Sequence, residues 1–522
     1  MSVAGVAMDS TVEGRGSRGW FGRRVKLGSR SVQLGLHLLL VALTGGAVGV
    51  AKLADSLMAG TLFDVPSQVS AYGFLVAFGL AKAGANLGAG VAGDRAGRRT
   101  VLALGFALGT LCPIVVWATR SWAGVLVATT FLGAQQGLCW SATVMCTADL
   151  AGARRRTLLV GCNEAVGYAS LAILQLAGAA LIEGADGQER DLLYRPYALV
   201  LALLVVGGLA SWGLVKETLS LAQDGVLGAS LAAAHDPWDA WDADDMEGWD
   251  EEDDLGGGPD DEQGVLAGSL YLAERPSSRG GPGGDPAPRV GDHSLASARE
   301  AWADVRWTPP YAACCLAGLL INVLTATSWA LTARWAGVEG QPGRWAPLGT
   351  RSVAAMGLAY SLPKALGMVP AGALGDRRGA RWPVVAGLGI CALGLGLGGL
   401  GAGNATTQAE ASVAFVLSAM LVGAGTALVY PNAMVAAANL APEACRAEAI
   451  GLYRFWRDLG YAVGGFALGI SRDVSGSPAA VVALSGLSAA AGTVVFAVAY
   501  KDKEDRAARY AALVASQARL LT

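Results

Sequence analysis

Charge is what this sequence has least of. Asp, Glu, Lys and Arg make up 16% of its 522 residues, against about 25% in an ordinary soluble domain. Histidine occurs three times, as His37, His235 and His293, in unrelated contexts, which leaves no material for a histidine-based catalytic or metal centre. No phosphate-binding glycine loop is present, so direct drive by ATP is not expected. The eight cysteines (Cys112, Cys139, Cys146, Cys162, Cys314, Cys315, Cys391, Cys445) show no metal-ligand spacing. Proline is limited to 19 residues and there is no Gly-X-Y period, so the 73 glycines are not collagen. Neither an enzyme site, a cofactor motif nor a nucleic-acid-binding pattern emerges. What is present in excess is apolar: 53% of the chain. Small residues combined with a charge deficit point to closely packed membrane helices.

The few charges are unevenly placed. Residues 217–308 hold 21 acids and 5 bases, a net of -16, leaving 21 acids and 34 bases, a net of +13, for the other 430 residues. Between Asp236 and Glu262, 14 of 27 residues are acidic and none is basic, with Trp238, Trp241 and Trp249 interspersed. Such a segment cannot bury enough apolar surface to order itself, so a disordered acidic loop is expected over 216–308. Its tryptophans leave open a docking motif for a basic partner.

A transmembrane helix needs about 20 mainly apolar residues. Windows of that kind occur at 33–54, 67–92, 100–118, 122–146, 158–183 and 196–215, and again at 310–334, 352–375, 382–403, 411–436, 449–470 and 478–500. The chain therefore reads as a basic N-tail (1–32), a six-helix bundle (33–215), the acidic loop, a second six-helix bundle (309–500) and a C-tail (501–522). Basic residues fix the expected orientation: 21 lie in the tails and the loops that share their side, 6 in the others. Both termini and the acidic loop are expected in the cytosol. The plasma membrane is the first expectation and an organelle membrane the alternative.

The second and eighth windows end alike. Leu80 to Arg99 and Leu362 to Arg381 share ten of twenty positions at an offset of 282, including Lys82 and Lys364. This is an internal duplication of the kind that relates two membrane halves. The loop Gly90-x-x-x-Asp94-Arg95-x-Gly97-Arg98-Arg99 resembles the signature loop of the major facilitator superfamily. Its second copy, Gly372, Asp376, Arg377, Gly379 and Arg381, departs at Ala380, where a basic residue is usual. Two further stretches are similar to a largely uncharacterised prokaryotic-type branch of that superfamily: Gly133 to Trp140 continuing at Asn163-Glu164, and Tyr430-Pro431-Asn432 continuing at Arg454-x-x-Arg457-Asp458. The resemblance implies an all-α membrane protein of twelve transmembrane helices in two pseudo-symmetric six-helix bundles. It also implies that the two loop copies lock and release a gate on the cytosolic side. The run of glycine and proline that marks many drug–proton antiporters in the fifth span is absent.

Helical rise places Lys82, Lys364 and Asp458 about 18 Å from the inner membrane edge, and Glu164 and Arg454 about 12 Å. Ionisable residues at such depth cost at least about 2.5–3.5 kcal/mol and mark function by default. The candidate pathway residues are Lys82, Gln135, Gln136, Trp140, Asn163, Glu164, Lys364, Tyr430, Asn432, Arg454, Arg457 and Asp458, with Asn322, Tyr168, Tyr360, Trp329 and Tyr461 as further lining. Two structural alternatives stand beside that reading. Arg454 and Asp458, four apart, could neutralise each other, and the lysines could pair with Glu164 or Asp458 to hold helices together. Lys52 and Asp55 are expected at the membrane interface. Pro113, Pro363 and Pro431 are expected to kink their helices. The function expected is secondary active transport of a small molecule, organic or inorganic and anionic, by alternating access. Glu164 or Asp458 would couple protons, and the protein would be a monomer in the bilayer without cofactor or metal. The alternatives are a transporter-like sensor signalling through the acidic loop, and a passive facilitator.

Overall fold

The computed structural model describes residues 30–183, 189–218, 300–442 and 445–502. The N-tail to residue 29, the acidic stretch 219–299 and the C-tail from 503 lie outside the described residues, and with them most of the expected tails and loop. Helices dominate: α1 (Arg30–Thr61), a short α2 (Gln68–Ala71), α3 (Gly73–Ala96), α4 (Arg98–Thr119), α5 (Trp122–Glu183) and α6 (Glu189–Gly213) form the first half. The second half is α7 (Pro309–Ala326), α8 (Thr350–Arg378), α9 (Arg381–Asn404), α10 (Gln408–Leu440), α11 (Arg446–Ser475) and α12 (Pro478–Ala499). Beyond α7 the chain continues in π-helical turns, Thr327–Thr332 and Trp335–Glu339. Among the described residues there is no strand, only one isolated bridge, Gln341 with Trp345.

Nine described helical segments are long and apolar enough to cross a membrane. The three remaining spans are those with polar groups at their centres: α3 with Lys82 and Asn86, the first part of α5 with Gln135 and Gln136, and α11 with Arg454, Arg457 and Asp458. Three of the least apolar spans thus carry Lys82, Trp140, Arg454, Arg457 and Asp458 of the candidate site. Leu209, Leu366, Leu400 and Val498 stand more than 60% exposed, the surface of a protein whose solvent is lipid rather than water.

Three of the expected spans differ in detail. The windows 122–146 and 158–183 are not separated by a loop, because helical structure continues from Trp122 to Glu183. A straight helix would set Trp140 and Glu164 about 36 Å apart. Instead their side chains hydrogen-bond at 2.9 Å, and Thr147 meets Asn163. The chain therefore reverses between 147 and 163 while remaining helical. The window 67–92 is broken at Tyr72, where the backbone leaves helical geometry between α2 and α3.

The two halves meet along two seams, α3 against α11 and α5 against α8. Within the first half, α1 lies in the concave side of α5, and Gly45 and Gly167 let the two backbones touch: a Cβ on Gly45 would collide with the Gly167 carbonyl. Small residues at such crossings permit close helix packing in lipid. The Gly-Asp-Arg loops join α3 to α4 and α8 to α9, and define one end of the molecule, the loop end; α2 lies at the far end.

Candidate functional site

Asp458 is the centre of the polar belt between the halves. Its carboxylate is fully buried and saturated by donors. Lys82 Nζ, from α3, lies 3.5 Å from Oδ1. Arg457 holds both oxygens at 3.0 and 2.8 Å. Asn322 of α7 donates to Oδ1 at 3.0 Å, and Asn86, one turn beyond Lys82, donates to Oδ2. Behind it, Ser141 donates to Asn86 Oδ1 at 2.7 Å, and Arg454 Nη1 reaches Ser141 Oγ at 3.5 Å. The neutralising partner of Asp458 on α11 is therefore Arg457, not Arg454. The guanidinium fork of the adjacent residue takes the carboxylate two-handed, the strongest geometry for such a pair, while Arg454 turns toward α5.

Lys364 sits in a different environment. No carboxylate lies within ion-pair distance of it among the described residues. Its Nζ lies 3.3 Å from Tyr360 Oη and stands 3.8, 5.0 and 5.4 Å from the ring centres of Tyr168, Tyr430 and Tyr360. Each desolvated ring face contributes on the order of 1–2 kcal/mol, which offsets part of the burial cost. Glu164 adjoins this cage. Its Oε1 accepts from Trp140 Nε1 at 2.9 Å, and its Oε2 is buried without a partner. Glu164 is near enough to act electrostatically on both Lys82 and Lys364. The aromatic rings tie the parts together: Trp140 to Tyr168 at 5.1 Å, Tyr168 to Tyr430 at 5.9 Å, and Arg457 over Tyr430 at 4.7 Å.

Lys82, Trp140, Glu164, Lys364, Tyr430, Arg454, Arg457 and Asp458 are thus one cluster. Gln135, Asn163 and Asn432 are not part of it. Gln135 donates to Thr44 at 3.3 Å, Asn163 bonds Thr143 and Thr147, and Asn432 donates to the carbonyls of Ala371 and Leu428. Each of these bonds stays within one half. Gln136 is buried beside Gln135 in α5. Lys52 and Asp55 are not interfacial. The first helix runs on to Thr61, which places both inside the bundle, where Asp55 accepts from Tyr197 of α6. Asn86, Ser141 and Gln175 escaped the sequence reading, although each is a polar residue within a membrane span.

The two loops repeat a second device. Gly97 and Gly379 both adopt positive φ, 88° and 79°, a conformation that glycine takes without strain. The helix that starts after each is capped by a carboxylate from just past the last helix of its own half. Glu217 accepts from the N–H groups of Arg98 and Arg99 at 2.9 and 3.2 Å, and Asp502 from those of Ala380 and Arg381 at 3.0 and 3.3 Å. Arg99 and Arg381 return the contact by donating to the carbonyls of Trp212 and Ala497. A helix N-terminus favours an anion, and here Glu217 and Asp502 supply it. Arg98 also pairs with Asp149 at 3.3 Å. Arg95 and Arg377 are exposed, while Gly90 and Gly372 have open space around them. The side chains of Asp94 and Asp376 lie outside the described set.

At the far end the halves are tied by Asp473, near the end of α11. It accepts from Ser67 Oγ at 2.9 Å and from the N–H groups of Gln68 and Val69 at 2.8 and 3.2 Å. Burial alone would raise its carboxyl. The N–H groups of Gln68 and Val69, the Ser67 hydroxyl and Arg472 outweigh that and hold it below its ordinary value. Arg472 and Arg334 both pair with Glu339 at 3.0 Å.

Two bundles of apolar helices enclosing a belt of buried charges make a transmembrane transporter of the secondary type. A sequence profile of the Major Facilitator Superfamily matches residues 35–338 and 348–520, and the chain belongs to that family. No curated protein matches the sequence significantly. Among solved structures, similar folds include a POT family transporter in complex with 5-aminolevulinic acid (TM-score 0.59, 12% identity, 92% of this chain and 97% of that one covered). A point mutant of the peptide transporter POT in complex with sulfate is also similar (TM-score 0.58, 14% identity, 92% and 95% covered). A third is a POT family transporter with a thioalcohol-conjugated peptide (TM-score 0.58, 13% identity, 89% and 95% covered). At these identities the likeness is one of fold.

Proposed function

We propose that this protein carries a small anionic molecule by alternating access, coupled to protons, with the loop end and both termini in the cytosol of a plasma-membrane protein that acts as a monomer. The observation that carries this reading is the charge balance of the belt: four cations, Lys82, Lys364, Arg454 and Arg457, against two carboxylates, Glu164 and Asp458. A substrate with negative charge would complete that balance. Glu164, with one buried oxygen free, is the proton carrier. Asp458, saturated by donors, holds the α3–α11 seam closed until its partners are drawn away. Gly90, Asp94, Arg95, Gly97, Arg98 and Arg99, with Gly372, Asp376, Arg377, Gly379 and Arg381, form the cytosolic gate. The ties across the far end, Asp473 to Ser67, Gln68 and Val69 and Glu339 to Gln68 at 3.4 Å, would close the outer side.

The test is uptake into proteoliposomes of a panel of radiolabelled small carboxylates under an imposed pH gradient. Wild type is expected to accumulate at least one of them, with accumulation abolished by a protonophore and by Glu164→Gln. Uptake indifferent to both would leave only a passive facilitator. Absence of net flux in the wild type, with a signalling output that is lost on deleting residues 220–290, would mark a sensor instead.

A further inference from the structure

A cavity of about 30 Å³ lies between the halves, lined by Lys52 of α1, Gln175 of α5, Trp329 and Thr332 of the π-helical stretch, Gly357 of α8 and Ser418 of α10. None of the twelve pathway residues named from the sequence lines it. That volume has room for a water or two, or for one small charged head, and not for a whole organic substrate.

Its wall is built from polar groups that the protein leaves unused. Gln175 is 8% exposed and forms no hydrogen bond among the described residues, yet it lines the cavity. The amide occupies space that only a glycine leaves free: a Cβ on Gly357 would lie 2.6 Å from its Oε1 and 2.7 Å from its Nε2. Lys52 is 4% exposed, and its Nζ has no hydrogen-bond partner. The ammonium rests on the faces of Phe78, at 3.6 Å, and Phe74, at 4.8 Å. Asp55, one turn on, accepts from Tyr197 of α6 and acts on Lys52 only electrostatically, from beyond ion-pair distance. The indole Nε1 of Trp329 is likewise buried without an acceptor. The π-helical turn that carries Trp329 is held against α1 by Ser56, which donates to the Trp329 carbonyl at 2.9 Å. Such turns often mark functional positions in a helix.

An ammonium, an indole N–H and an amide beside one small cavity present donors and positive charge in want of an acceptor. Burying such groups unpaired is costly, and an anion resolves it. We infer that this cavity is an anion subsite, taking a carboxylate head or a halide, with Lys52 as the charge anchor and Gln175 as the donor that orients it. Phe78, the ring under the Lys52 ammonium, lies 5.9 Å from Lys82 as well. The subsite therefore adjoins the Asp458 cluster, and rests on the reading of this interface as the transport path.

The experiment measures thermal unfolding of the purified full-length protein in sodium acetate and, separately, in sodium chloride. Sodium gluconate, too large for the cavity, makes up the ionic strength. A ligand that binds only the folded state raises the midpoint in a saturable way. The expected result is a saturable rise of a few degrees, lost in Lys52→Gln and kept in Arg306→Gln, an exposed site outside the belt. Should Lys52→Gln fail to fold, Gly357→Ala serves: it leaves Lys52 in place, displaces the Gln175 amide, and is expected to weaken the apparent affinity at least tenfold. Acetate acting alone identifies a carboxylate head of the cargo, and chloride acting alone a resident halide; either supports the subsite. The inference is overturned if neither anion gives a saturable rise, or if the rise survives Lys52→Gln. Proton-coupled uptake in proteoliposomes without any anion stabilisation would sink the subsite and leave the carrier standing. Stabilisation mapped to Lys52 without uptake would do the reverse.

Discussion

Lys82 and Lys364 stand at equivalent places in the two halves, 282 residues apart, yet only Lys82 has a carboxylate partner. Both have an aromatic ring one turn before them, Phe78 and Tyr360, and both face a tyrosine that follows a glycine across the seam, Tyr461 and Tyr168. The difference lies in the facing helix. Three residues before its glycine, α11 has Arg457, followed by Asp458; three residues before the matching glycine, α5 has Glu164. Lys82 therefore meets a ready-made ion cluster. Lys364 meets rings, with Glu164 turned to Trp140. Duplication supplied two identical ammonium groups, and divergence of the facing helix made one a tie and left the other available.

The sharpest way to break this comparison is Asp458→Asn. It strands two buried cations, and losing one member of a buried ion pair typically costs about 3–5 kcal/mol. A lowered unfolding midpoint with intact membrane insertion is expected; an unchanged midpoint would show that Asp458 is not the tie. Next comes Lys82→Met against Lys364→Met. Asp458 keeps Arg457 when Lys82 is lost, so about 1–3 kcal/mol is expected there. Removing Lys364 deletes a buried charge without a counter-ion, and its midpoint should be unchanged or raised. Equal losses in the two variants would dissolve the asymmetry.

A smaller stability effect, within about 1 kcal/mol, is expected for Glu164→Gln, since the amide oxygen can still accept from Trp140. Its signature is functional: the dependence of uptake on the pH gradient should vanish while binding persists. The smallest effect concerns the far end. The carboxyl of Asp473 is held below its ordinary value of 3.8 in the folded protein, so its contribution is complete above that value and is lost as pH falls through the lowered one. Protection of the Gln68 and Val69 amides from hydrogen exchange, corrected for intrinsic rates, should fall as pH drops through that lowered value in wild type, and be low at every pH in Asp473→Asn.

The twelve spans and both lysines were legible because they rest on one-dimensional signals. Apolar length and a shared offset survive without any knowledge of helix rotation, and 1.5 Å per residue was enough to place Lys82 and Asp458 at about one depth. Pairing was not legible. Whether Arg454 or Arg457 faces Asp458 depends on rotation about α11 and on the guanidinium reaching both oxygens, and neither follows from spacing. The assignment of Lys52 to the interface failed for a simpler reason: α1 continues about two turns past its most apolar window. Glu217 and Asp502 were readable and overlooked. Lys216-Glu217 and Lys501-Asp502 stand at an offset of 285, directly after the last span of each half, so the duplication extends past the apolar windows into the segments that cap α4 and α9. Gln175 had only its isolation in an apolar span to recommend it.

The capping carboxylate of the first half has a mechanical consequence. Glu217 grips the opening turn of α4, and the next residue, Thr218, donates to Asp149 at 3.0 Å. The chain enters its long acidic stretch directly from this anchorage. Any force applied to that stretch would reach first the loop-end terminus of α4 and the α5 residue already paired with Arg98. A strap fastened at this point would have a short lever on the loop end.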